Sequence, residues 1–156
     1  MTELERAVKA IDSDIFELGE AFEGLQDADV WTRPHPRLLS IGELACHMAY
    51  GEAKSFLSDH TISPIITDQA SYYKKTVDAP FQLDLGAADL LAEVKKVHEA
   101  CKASIEAANP ALEDKSPYRQ GWTWGYVLEY MAFHFAYHTG QMYSVRHLMG
   151  HETADN

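Results

Sequence analysis

Leu4, Val8, Ile11, Ile15, Leu18, Phe22 and Leu25 alternate spacings of four and three, the period of one face of a helix. This stripe constrains the fold more than any other feature, because a helix of this kind is stable only when another element covers its apolar face. Thr2 with Glu5 makes a capping box that starts the run. The same signature returns at Ser40 with Glu43, and Ile41, Leu44, Met48, Ser55 and Phe56 carry a second predicted helix to about Ser58. A third runs from about Leu85 to Asn109, with Leu90, Val94, Val97, Cys101 and Ile105 inward and Pro110 beyond its end. A fourth spans about Thr123 to Met149, with Gly150 as C-cap. No strand pattern is convincing. The expectation is an all-α four-helix bundle in a single domain over residues 1–150, followed by a polar, frayed tail over 151–156.

The connections refine this picture. Pro34, Pro36 and Trp31 make residues 26–39 a linker with an aromatic plug. The segment from Asp59 to Leu83 is polar and broken by Pro64 and Pro80, although Asp68 to Val77 suits a short helix. About 25 residues can reach some 80 Å, whereas a helix of about 20 residues spans roughly 30 Å. This crossover can therefore return along the whole bundle, making the second and third helices parallel neighbours.

Composition excludes several classes of partner. With 156 residues and 46% hydrophobic content, the chain can bury a core without disulfides or a structural metal. Its net charge of -11, with no local Lys/Arg cluster, argues against nucleic acid and anionic membrane. No apolar run reaches the roughly 18 residues of a membrane span, and Met1-Thr-Glu-Leu-Glu lacks the basic and apolar regions of a signal peptide. The expected location is cytoplasmic. Cys46 and Cys101 lie within helical patterns without close partners and read as buried thiols.

The residues that carry chemistry are histidines. His134 and His138, inside His134-Phe-Ala-Tyr-His138-Thr-Gly-Gln141, stand one helical turn apart and share a stripe with Met131, Met142 and Val145. His47 lies beside Leu44 and Met48 on the second helix. Three imidazoles from two elements suit one transition metal and leave a position open for water or substrate. Spacing alone does not decide the matter, since His147 and His151 share it near the chain end, where a solvated or dipole-compensating role suffices. Satisfied core histidines are the competing account of His134 and His138.

The helix order, the long second connection, a histidine within Ser40-Ile-Gly-Glu-Leu-Ala-Cys-His47, and the ending His134-Phe-Ala-Tyr-His138-Thr-Gly-Gln141 together resemble the DinB/YfiT-like superfamily. The resemblance covers nearly the whole chain, and its most specific part is the last helix. It implies an up-down-down-up bundle, with His47, His134 and His138 as ligands of a divalent metal, often zinc or nickel. It also implies a small-molecule substrate and a homodimer. The activities known in such proteins include metal-dependent hydrolysis, thiol S-transfer with a low-molecular-weight thiol such as bacillithiol or mycothiol as co-substrate, and mycothiol-dependent isomerisation. The shared logic is a metal that lowers the pKa of a thiol or water and presents it as a nucleophile. The alternative is a non-catalytic, stress-associated bundle that binds a metal or small ligand.

Supporting residues are less defined. Gln141 reads either as an amide orienting an imidazole or as an interhelical hydrogen-bonding group. Glu52, about 140° around the helix from His47, reads as a base or as a solvent-facing residue, with the second preferred. Tyr50 reads as a pocket hydroxyl or a packing residue. The capping box accounts for Glu43. Trp122 and Trp124 suit closure of the bundle end, or a pocket wall. His35 and His60 read as surface residues, and His98 as a packing or edge residue. Cys46 points about 100° away from His47, which argues against a shared ion.

Overall fold

Both capping boxes form. Thr2 Oγ1 accepts the Glu5 N–H at 3.1 Å while Glu5 accepts the Thr2 N–H at 2.6 Å; Ser40 and Glu43 repeat the exchange at 3.2 and 2.8 Å. They open α1 (Glu3–Phe22) and α2 (Ile41–Phe56). The computed structural model describes residues 1–153. Among these the secondary structure is helical, with α3 (Tyr73–Asp78), α4 (Ala87–Ala108) and α5 (Trp124–Leu148) completing five helices and no strand. The third and fourth predicted helices are thus α4 and α5. The suggested helix in the crossover is a short 3-10 turn, Asp68–Ala70, followed by α3. Asn109, in the left-handed conformation at φ 38°, ends α4 one residue before Pro110.

The stripe of α1 is buried as its spacing requires, with Ile11 and Leu18 almost completely enclosed. It packs chiefly against α5, while α2 packs against α4 and α5. Contacts along these helices are specific. Tyr143 donates to the Glu17 carbonyl at 3.1 Å, Arg146 donates to the Ala21 carbonyl at 3.0 Å, and Ser104 donates to the Phe56 carbonyl at 2.7 Å.

α2 differs from a surface helix because residues 41–49 are buried on every side. Beyond its helical neighbours, the linker covers it. Trp31 lies so close to Gly42 that a Cβ there would sit 2.7 Å from the indole, and Trp31 Nε1 donates to the Leu85 carbonyl at 2.7 Å. The aromatic plug therefore ties linker, α2 and the entrance of α4 together. Glu43 does more than cap. Arg33 grips its carboxylate through Nε and Nη2 at 2.7 and 2.6 Å and donates onward to the Thr76 and Val77 carbonyls at 2.7 and 3.1 Å. That clamp holds the crossover against α2.

The tail departs from expectation. Instead of fraying from residue 151, His151 meets Asp29 at 3.1 Å and Arg146 donates to the Glu152 carbonyl at 2.8 Å. His151 is consequently half-buried rather than solvated, while His147 is exposed at the helix end. Residues 154–156 of the expected tail lie outside the described residues. No helix among the described residues is long and apolar enough to cross a membrane.

Candidate metal centre

His47 comes from the middle of α2, and His134 and His138 come from successive turns of α5. Where these helices cross, the three rings converge, with one nitrogen from each lying within 4.8 Å of the other two. All three side chains are buried, leaving between 5 and 9% exposed. Pairs of ring centroids are 4.6 to 4.9 Å apart in edge-to-face arrangements.

Hydrogen bonds select the tautomers. His47 Nδ1 donates to the Ala70 carbonyl at 2.7 Å, so its Nε2 carries a lone pair. His138 Nδ1 donates to Gln141 Oε1 at 2.7 Å, with the same result. His134 Nε2 lies 3.1 Å from His47 Nε2, and its Nδ1 is buried without a hydrogen-bond partner among the described residues. Two bare lone pairs do not face each other at that distance, so the contact requires a proton or a cation between the nitrogens. Burial lowers the pKa of all three. His134 falls to about 3, with the neighbouring histidines and Arg119 adding to the effect of burial; His138 falls to about 4 because burial outweighs its Gln141 bond. Neutral imidazoles are the form that ligates a metal.

The surroundings reinforce the fit. Tyr130 stacks on His134 at 5.7 Å and Tyr73 stacks on His138 at 6.1 Å. Gly51, one turn beyond His47, provides space: a Cβ there would lie 3.1 Å from His134 Cε1. The donor set and this cradle fit a divalent ion. Above the rings opens a cavity of about 440 Å³, walled by tyrosines including Tyr50, Tyr72 and Tyr118, with Lys54 and Arg119 at its side.

The sequence matches the family model described as the DinB superfamily over residues 14–142. The chain belongs to the DinB superfamily. The match takes in all three histidines and Gln141 of this DinB-superfamily chain. Comparison with curated proteins and with solved structures gives no match.

Other candidate residues are distributed differently. Gln141 meets His138 directly rather than bridging helices. Tyr50 lines the cavity, but its hydroxyl donates to Asp68 at 3.2 Å. Glu52 is not solvent-facing. It is 1% exposed and accepts from His98 Nδ1 at 2.7 Å, outside the residues that line the imidazole cavity. His98 is accordingly a buried hydrogen-bonding group, with its Nε2 on Asp12 at 2.9 Å. His35 is exposed as expected, but His60 is half-buried and accepts from Lys54 at 3.1 Å. Trp124 stacks on Phe56 and closes the bundle end; Trp122 packs behind Tyr130. Both cysteines are buried.

Several contributors escaped the sequence reading. Ala70 acts through its backbone, Tyr73 opens the short α3 and Arg119 stands on a connection, and their partners are distant in sequence. Only Gly51 carried a signal, a glycine inside a helix where alanine would be more stable.

Proposed function

We propose that this chain is a divalent-metal-dependent enzyme acting on a small molecule, with zinc or nickel held by His47, His134 and His138. The observation that carries this reading is the convergence of three uncharged, buried imidazoles on the floor of an open cavity. An ion held there would lower the pKa of a thiol or water entering beside it, supplying the nucleophile. The Ala70 carbonyl and the Gln141 amide keep two rings in the ligating tautomer. Tyr73 and Tyr130 cover ring faces and limit access of bulk water.

Thiol S-transfer is favoured over hydrolysis. Among the described residues, the cavity lining contains no carboxylate to serve as a base for water, and Glu52 is committed to His98. A thiol needs less help, having an ordinary pKa of about 8.5 against about 15.7 for water. A low-molecular-weight thiol such as bacillithiol is the corresponding co-substrate.

An up-down-down-up helix order is part of the same reading. Glu17 and Ala21 meet Tyr143 and Arg146 in ascending order, as Glu52 and Phe56 meet His98 and Ser104. His47 and Phe56 meet His138 and Trp124 in descending order. These contacts support α1 parallel to α5, α2 parallel to α4, and the pairs opposed. The superfamily resemblance adds a homodimer, for which Phe133 and Tyr137, exposed and stacked on α5, offer apolar surface.

Elemental analysis of protein purified without added metal, followed by a thiol-transfer screen with bacillithiol and related thiols, tests the proposal. We expect one divalent ion per chain and turnover that depends on thiol; His138→Ala should lose both and keep its helicity. Stoichiometric zinc with turnover independent of thiol would redirect the assignment to hydrolysis. Loss of the fold together with the metal would favour a structural ion in a non-catalytic bundle.

A further inference from the structure

The chain carries 24 acidic residues against 13 Lys and Arg, yet the wall of the imidazole cavity reverses this balance. Lys54 and Arg119 line it, and no carboxylate among the described residues does. Among the described residues, neither cation has a carboxylate within 4.0 Å. Asp68, reached through Tyr50, lies outside the lining.

Both cations are held in place by neutral groups. Arg119 Nε donates to Ser55 Oγ at 3.0 Å and Nη2 reaches the Gly51 carbonyl at 3.4 Å, on the turn of α2 that faces His134. The guanidinium also lies over the Trp122 ring, 5.8 Å from its centroid. Lys54 donates one proton to His60 and rests over Tyr50, 5.4 Å from the ring centroid. These contacts fix position without neutralising charge. Arg119 Nη1 and the remaining Lys54 protons make no hydrogen bond to the described residues.

We infer that the cavity takes an organic carboxylate, with Arg119 and Lys54 binding its two oxygens and the tyrosine walls receiving its apolar part. Two partly committed cations match two oxygens of a monoanion; a phosphate dianion would present a third oxygen with no further cation in the lining. This deepens the proposed function by assigning the substrate class of that site, and it rests on the cavity being the substrate site. Arg119 and Lys54 are then specificity residues.

Isothermal titration of zinc-supplemented protein with 3-phenylpropionate, its neutral amide and phenyl phosphate tests the assignment. The same probes are applied to Lys54→Gln, to Arg119→Gln and to metal-free His138→Ala. The expected result is a preference of about tenfold for carboxylate over amide, the worth of a charge-assisted hydrogen bond. Each charge-removing substitution should cut that preference several-fold with zinc content unchanged, and Lys54→Gln, half-exposed on α2, secures the result should Arg119→Gln fail to fold. Retention of the preference by His138→Ala would separate the anion subsite from ligation to zinc. Equal binding of acid and amide, a preference unchanged by both substitutions, or tighter binding of phenyl phosphate would overturn the inference. Zinc content is measured independently, so failure of the metal reading would be visible as such.

Discussion

Gly51 separates helix stability from site geometry at a single residue. In a helix interior, alanine is more stable than glycine by about 1 kcal/mol. A Cβ at this position would nevertheless press on His134 at 3.1 Å. Gly51→Ala should therefore preserve or raise the melting temperature while weakening zinc affinity about tenfold or more, the range associated with disturbing groups that orient ligands. Competition titration with a chromophoric chelator would measure the second effect and thermal melting the first; parallel losses would refute this separation. The two acidic residues of α2 show how far single residues could be read. Glu43 announced its cap through a local partner three positions away, and the cap formed. Glu52 has its partner 46 positions away in α4, so nothing near it in sequence distinguished a buried acceptor from a solvated carboxylate.

At the scale of elements, local periodicity and caps were sufficient for α1, α2 and α4, a turn-bounded run ending at Gly150 marked α5, and the paired histidine spacing placed two candidate ligands on one face. The crossover was less legible because long-range contacts shape it: Arg33 bridges Glu43 of α2 to the carbonyls of Thr76 and Val77. Removing one member of such a buried pair typically costs about 3–5 kcal/mol. Glu43→Ala should lose stability of that order in urea titrations and increase hydrogen exchange across residues 68–81 more than across α5. A second tie joins three helices, since His98 of α4 bonds Glu52 of α2 and Asp12 of α1. Burial alone would lower its pKa, but Glu52 and then Asp12 overcome that and raise it from 6.5 to about 9. The folded state thus holds this proton more tightly than the unfolded chain. Its stabilisation is full below about pH 6.5 and is lost as pH rises through about 9. The urea midpoint should fall across that interval in the wild type and change less in His98→Gln; identical profiles would refute the assignment.

For the whole molecule, the core is continuous through Ile11, Leu18, Leu44, Phe56, Leu90 and Phe135, and these residues require no ion for their packing. Chelation should therefore leave the far-ultraviolet circular dichroism spectrum unchanged. The only stability lost should be that supplied by mass action, about 2.7 kcal/mol when free metal stands at 100 times its Kd. Collapse of helicity on chelation would contradict this independence. The cavity is divided between two kinds of scaffold. α2 and α5 supply the imidazoles together with Tyr50, Lys54 and Tyr130, and Tyr73 opens α3, whereas Ser71, Tyr72, Tyr118 and Arg119 come from loops. Loops tolerate replacement more readily than packed helices. Substitutions at those loop positions can therefore change the shape and charge of the cavity mouth while leaving the three imidazoles on their helices undisturbed.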